Sequence, residues 1–354
     1  MVTSKPWTYR SPGPSLDDME RKTALVAGAN GIIGRKLVEH LRAAGGWDVV
    51  GLSRRGGPGS IAVDLLDPAD TRAKLAPLTT ATHLFYAAYQ DKPTWAELVP
   101  PNLAMLANLV EAAPPGVEHV SLMQGYKVYG AHLGPFKTPA RETDAGHLPP
   151  EFNVDQQQFL ERRAGAWTWS AIRPSVVGGT ALGNPMNLAL VIAVYASISK
   201  ELGLPLRFPG KPGAYDSLLE MTDAGLLASA TVWATGHQGA FNIANGDLFR
   251  WRELWPKLAA YFGLDVAPPL RMSLVDVMAD KGPLWTSMAE RHALSASYAD
   301  VSASWAFGDF VFGWDYDVFA DTSKSRRAGF HEYVETEQMF YRLFDEFRKA
   351  RVIP

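Results

Sequence analysis

The chain of 354 residues carries 34 Lys and Arg against 37 Asp and Glu, a formal charge of −3, with 47% hydrophobic and 20% charged residues. These proportions suit a packed globular protein and exclude disorder as its main state, and the length leaves room for two lobes. No run of Lys or Arg marks a nucleic-acid or anionic-membrane surface, and the absence of Cys excludes disulfides, thiolate metal sites and Cys nucleophiles.

Residues 1–20 are polar, hold Pro6, Pro12 and Pro14, and lack the apolar stretch of a secretory signal, so a loose arm and a cytoplasmic location are expected. Residues 23–27 form a short apolar run that stops at a Gly-rich turn, and beyond it Leu37, Val38 and Leu41 recur at helical spacing: strand, turn, helix. A second β-branched run, 47–52, ends at Ser53-Arg54-Arg55. Residues 61–63, 83–88 and 117–123 are further strand candidates, with a helical pattern over 101–113. This βαβαβ alternation implies a mostly parallel sheet with right-handed crossovers and ligands at the C-terminal ends of its strands. Residues 167–177 and 241–244 read as later strands, with 221–234 helical between them. The longest apolar run, 188–198, is interrupted by Tyr195 and Ser197 and is too short to span a bilayer.

The fold expected is therefore α/β, a Rossmann-type doubly wound parallel sheet with a smaller, discontinuous, mainly helical substrate lobe. Its parts are an arm (1–20), a dinucleotide-binding domain (21–183 plus 214–248) and a substrate lobe (184–213 plus 249–354), the last with Trp251, Trp255 and Trp285 in its core. No paired His spacing or carboxylate cluster suggests a metal, no nucleophile-elbow string suggests a triad, and Asp216, Glu220 and Asp223 read as a solvated or capping face.

Between the first strand and first helix lies Gly28-Ala29-Asn30-Gly31-Ile32-Ile33-Gly34. Backbone N–H groups and the positive helix end at such a turn can hold a pyrophosphate, and the three glycines serve the turn, phosphate approach and helix-to-strand contact. About twenty residues further on, an NAD enzyme presents an acidic side chain to the ribose. Here Arg54 and Arg55 follow Ser53 instead. Guanidinium groups pair with a 2′-phosphate, so the cofactor expected is NADPH. Asp64-Leu65 is placed to meet the adenine, or Asp64 to cap the next helix.

Several further stretches occur in order: Phe85-Tyr86-Ala87-Ala88, residues 102–109, Gln124-Gly125-Tyr126-Lys127-Val128-Tyr129-Gly130, and Ile172-Arg173-Pro174-Ser175-Val176-Val177-Gly178. With the glycine turn and the arginines, they resemble the progesterone 5β-reductase and iridoid synthase family, an atypical branch of the extended short-chain dehydrogenases/reductases. The resemblance implies NADPH-dependent reduction of the C=C bond of an activated enone or enal, and a small apolar carbonyl substrate. It places Ala87, Ala88, Pro174, Val176 and Val177 against the cofactor. It makes Lys127 the residue that bonds the nicotinamide ribose or lends charge to a developing oxyanion, and Tyr89 a substrate wall. Gly125 stands where ordinary extended members carry Ser or Thr, and their Tyr-x-x-x-Lys is missing.

The family's catalytic Tyr aligns with Val154, which cannot donate a proton. Asn153, Tyr126 and Tyr89 are then the candidate donors, with Tyr126, Tyr89 and Val154 also candidate substrate contacts; alternatively Asn153 caps a helix and the tyrosines are walls. Two other functions stay open: carbonyl reduction or epimerisation of another substrate such as a sugar nucleotide, and a non-catalytic NADPH sensor or partner module. Beyond the substrate, the only partner expected is a second copy of the chain, as a homodimer.

Overall fold

Alternation of apolar runs with amphipathic ones continues through residues 21–354, which the computed structural model describes; the expected arm, 1–20, lies outside them. The first half runs β1 (Lys22–Ala27), α1 (Ile32–Ala44), β2 (Trp47–Ser53), β3 (Ser60–Ala62), α2 (Pro68–Leu75), β4 (His83–Tyr86), α3 (Trp95–Glu111), β5 (His119–Met123), α4 (Phe152–Arg163) and β6 (Thr168–Pro174). The second half runs β7 (Val176–Gly178), α5 (Leu188–Glu201), β8 (Leu206–Arg207), α6 (Pro212–Asp216), β9 (Met221–Asp223), α7 (Ala224–Trp233), β10 (Gly239–Ile243), α8 (Trp251–Phe262) and β11 (Val266–Ala267). Six further helices close the chain, from α9 (Leu274–Val277) to α14 (Thr336–Lys349).

Seven strands form one sheet in the order β10-β6-β5-β4-β1-β2-β3, every pair parallel. Helices cover both faces, so β1, β4 and β5 are apolar and buried along almost their whole length. The strand order reverses between β1 and β4, and the glycine turn leaves β1 at that point. A crevice at such a reversal is where an open α/β sheet takes its ligand.

Three elements differ from their sequence patterns for local reasons. The helix expected over 101–113 begins at Trp95, because Thr94 and Glu97 form a capping box that nucleates it ahead of Pro100 and Pro101. The run 167–177 splits at Ser175, whose N–H donates to Thr222 Oγ1 and whose hydroxyl donates to the Glu220 carbonyl. The chain thereby leaves the main sheet and pairs as β7 with β9. The first residues of the expected helix 221–234 are that β9, and Asp223 caps α7 through Gly225 and Leu226 N–H. In the second core, α5 is buried from Leu188 to Ser199, and Trp251, Trp255 and Phe312 crowd around Phe208 at ring separations of 5.3 to 5.9 Å. Trp285 is buried in the same cluster.

His83 and His119 sit opposite each other on β4 and β5. His83 Nδ1 hydrogen-bonds with Thr82 Oγ1 at 2.9 Å, and His119 with Thr168 Oγ1 at 2.8 Å and Ser170 Oγ at 2.9 Å. Burial, with help from Lys22, lowers the His83 pKa from 6.5 to about 4; burial and then His83 lower that of His119 to about 3. Both folded-state values lie below the unfolded one, so the unfolded chain binds more protons in this window. The stability these two histidines contribute is therefore fully present above pH 6.5 and is lost as pH drops toward 4 and below. Urea unfolding at stepped pH is expected to show this loss, and His119→Gln to reduce its slope; an unchanged slope would refute the assignment.

Candidate active site

The three glycines of the turn answer to different constraints. Gly28 has φ +79°, and a Cβ there would lie 2.5 Å from the Ala87 carbonyl oxygen. A Cβ at Gly34 would lie 2.3 Å from the Gly28 oxygen. At Gly31 the nearest protein atom would be 3.4 Å away, an ordinary contact, so the protein's own packing does not demand glycine there. The first turn of α1, which Gly31 precedes, has no side-chain cap and no acidic residue. The N–H groups of Ile32, Ile33 and Gly34 open that helix, where helical geometry offers no intrahelical acceptor.

Asn30 ties this turn to the arginine loop, donating from Nδ2 to Ser53 Oγ at 3.0 Å and the Gly56 carbonyl at 3.2 Å. Arg54 and Arg55 are exposed, and neither has a hydrogen bond or ion pair among the described residues. Asp64 stays at the surface and accepts from Leu66 N–H at 3.0 Å; the cap of α2 is Asp67, not Asp64. Leu65 is turned into the core, and its carbonyl accepts from Asn108. On the other side of the turn, Ile33, Ala87 and Val177 are half-buried on the apolar cluster of Met123 and Ile172, forming a flat wall beside Ala88. Pro174 and Val176 are buried behind it, and Ile32 packs on Ala181 and Ala224.

Lys127 lies in a 3-10 turn, Tyr126–Tyr129, that follows β5. Its Nζ stands 4.7 Å from the Trp95 ring centre and 5.9 Å from that of Tyr89, with no hydrogen bond or ion pair among the described residues. Burial lowers its pKa, and the charges of Glu151 and Asp91 act against that shift. The Tyr89 ring lies tilted against Phe152 at 5.8 Å, and its hydroxyl donates to Asp91 Oδ1 at 2.8 Å. Gly125 has extended backbone, and a Cβ there would lie 3.6 Å from the Pro174 oxygen, so a Ser would fit and its absence is chemical rather than steric.

The candidate donors separate. Tyr126 gives its one hydroxyl proton to Glu220 Oε1 at 2.5 Å in the interior. Asn153 does not cap α4: Glu151 does, accepting from Asn153 and Val154 N–H, and the Asn153 amide donates to Glu151 Oε1 at 2.6 Å. Val154 lies half-buried in that first turn. Glu220 corrects the expectation of a solvated face. It is 4% exposed, holds Tyr126 and Ala320 N–H, and is raised to about 7, chiefly by burial. Asp223 is buried as a cap, and Asp216 alone of the three is exposed.

Sequence reasoning quoted Arg173 only as part of a motif. The guanidinium, 1% exposed, donates to Gln124 Oε1 at 2.8 Å, to Tyr129 Oη and the Glu142 carbonyl at 3.0 Å, and to Gln157 Oε1 at 2.9 Å. It joins both ends of the Lys127 turn to the middle of α4. An arginine in an otherwise apolar strand was the available signal. Trp95 and His132, also passed over, line the Lys127 recess. No group of metal-ligating side chains occurs among the described residues, and no described helix is long and apolar enough to cross a membrane.

A parallel sheet that reverses at β1 and β4, a glycine turn at the reversal and added segments after β6 and β10 define a Rossmann-type protein of the extended short-chain dehydrogenase/reductase kind. A family model for the PRISE-like Rossmann-fold domain matches residues 64–354, and the chain belongs to that family. It is 33% identical to an (S)-8-oxocitronellyl enol synthase of Nepeta racemosa, covering 94% of this chain and 93% of that one. It is 29% identical to a 3-oxo-Delta(4,5)-steroid 5-beta-reductase of Arabidopsis thaliana, again over 94% and 93%. A solved UDP-glucose 4-epimerase of Thermus thermophilus shares the fold, with TM-score 0.65 and 22% identity over 93% of this chain and 99% of that one.

The geometry of the turn makes Gly28→Ala lower unfolding stability by at least about 2 kcal/mol, while Gly31→Ala stays within about 1 kcal/mol. Denaturant unfolding of the two variants checks this, and equal losses would contradict it.

Proposed function

We propose that this protein is an NADPH-dependent reductase of activated carbonyl compounds with an α,β-unsaturated bond. The observation that carries this reading is the unpartnered Lys127 ammonium set against the rings of Tyr89 and Trp95, with Phe152 beside Tyr89. The uncapped end of α1 suits a pyrophosphate, Arg54 and Arg55 a 2′-phosphate, and the wall of Ile33, Ala87 and Val177 a flat ring. Two relatives are named for oxo compounds, one as an enol synthase and one as a reductase.

Bound NADPH supplies a hydride to the substrate's β-carbon. Lys127 places positive charge where the carbonyl oxygen gains electrons, and its partial burial lets that charge act at a local dielectric below that of water. Val154 serves as wall alone. With Gly125 in place of a hydroxyl, the parts for ordinary alcohol oxidation are missing from this recess.

The deciding experiment follows NADPH oxidation against a panel of enones, enals and saturated ketones, with products identified by mass spectrometry. A saturated carbonyl product supports the reading; NADPH binding without turnover of any compound makes the protein a sensor, and no binding by calorimetry ends the proposal. Lys127→Ala is expected to lower kcat roughly a hundredfold or more with NADPH affinity largely kept. Because its charged form is the active one, wild-type kcat should fall on the alkaline side at a pH below the ordinary lysine range. Replacing Arg54 and Arg55 together by Ala should weaken NADPH roughly tenfold or more and leave NADH nearly unchanged, read by calorimetry.

A further inference from the structure

Reduction of an enone needs a donor at the carbonyl oxygen, and Val154 has none to offer. Among the candidates, the Tyr89 hydroxyl donates to Asp91, the Tyr126 hydroxyl to Glu220 and the Asn153 amide to Glu151. His132 is different. Its ring stands edge-on to Trp95 at 4.5 Å and to His147 at 5.3 Å. The Trp95 ring centre is also 4.7 Å from Lys127 Nζ, so His132 and Lys127 flank the same indole. His147 Nε2 hydrogen-bonds at 2.8 Å with the Lys127 carbonyl, which joins the two positions from the other side.

His132 Nδ1 is buried and has no hydrogen-bond partner among the described residues. Burial, then Lys127 and His147, pull the His132 pKa down to about 4, so the ring is neutral near pH 7 and carries a single N–H. A buried N–H without an acceptor costs roughly 1–3 kcal/mol, whereas an unmatched lone pair is better tolerated. The proton therefore belongs on Nε2, the nitrogen that is not buried, and Nδ1 keeps its lone pair.

We infer that His132, through Nε2–H, donates the hydrogen bond to the substrate's carbonyl oxygen that Val154 cannot, acting beside Lys127. This rests on the reductase reading. The hydride forms a C–H bond at the β-carbon, the C=C π pair moves into a new π bond between the α-carbon and the carbonyl carbon, and the C=O π pair moves onto oxygen to give an enolate. A neutral imidazole is too weak an acid to surrender its proton to that oxygen, so it polarises and holds the enolate. Water then protonates the α-carbon, giving the saturated carbonyl compound and hydroxide. His132 thus takes the tyrosine's hydrogen-bonding part by different chemistry.

Three variants separate the roles of the two ring nitrogens: the amide of His132→Gln reaches the place of Nε2, that of His132→Asn only the place of Nδ1, and His132→Phe has no donor. The probe is 4-nitrophenolate, an enolate mimic, titrated optically into the protein with NADP+. Affinity is expected to fall about tenfold or more in the Phe and Asn variants and to be largely kept in the Gln variant. Nitrogen-15 NMR of wild type should show His132 as the neutral Nε2–H tautomer at pH 7. On an enone, His132→Phe should lose kcat by roughly a hundredfold with NADPH affinity unchanged. Unchanged phenolate affinity in His132→Phe, an Nδ1–H tautomer, or an imidazolium at pH 7 would each overturn the assignment. Failure of wild type to reduce any enone would overturn the reductase reading instead, since phenolate binding and the tautomer report on His132 without turnover.

Discussion

One tight constraint that positions the site is the crossing at Gly28, where the chain leaving β1 passes so near the end of β4 that no side chain fits. The parallel sheet depends on it. With β1 and β4 adjacent and the strand order reversing between them, α1 leaves just where backbone N–H groups can face a ligand. A larger residue would push the turn off Ala87 and with it the wall formed by Ile33, Ala87 and Val177. Gly31 shows the complementary case: a Cβ there would make only ordinary contacts, so the protein's own packing does not demand glycine at that position.

Burial of polar groups then fixes the second half of the site. Arg173 holds Gln124, Tyr129 and Gln157 at once, and Tyr126 reaches Glu220, which in turn holds Ala320 N–H. A buried guanidinium satisfied from several elements resists movement, because breaking one bond strands a charge. Lys127 is consequently held between anchored neighbours while its own ammonium stays unpaired. Around Lys127 the anchoring groups Arg173, Tyr126 and Glu220 are hydrogen-bonded while the ammonium is not, a pattern that suits a site with polar capacity free for a ligand.

A valine in the first turn of α4 leaves this arrangement intact, because Val154 is held there by its backbone N–H donating to Glu151 and not by its side chain. Catalysis by positioning and electrostatics degrades by factors rather than all at once when one donor is removed. A recess with an ammonium and a neutral imidazole against one indole retains the means to stabilise an oxyanion.

By itself the sequence determined what is local in the chain: the strand-turn-helix at Gly28 to Gly34, the arginines after β2, the Gly125-x-Lys127 signature and the family. Periodicity and short spacing encode such features because helix and strand geometry repeats over a few residues. The tertiary structure alone decided which donors were already taken. Tyr126 and Glu220 are 94 positions apart, and the same distance effect hid the reach of Arg173 to Gln124 over 49 positions and the placing of His132 beside Trp95. Burial follows the same rule: Glu220, read from its neighbours as a surface carboxylate, is interior because distant segments close over it. Hydrogen-bond partners and burial are set by elements that meet only after folding, and no window of sequence contains both sides.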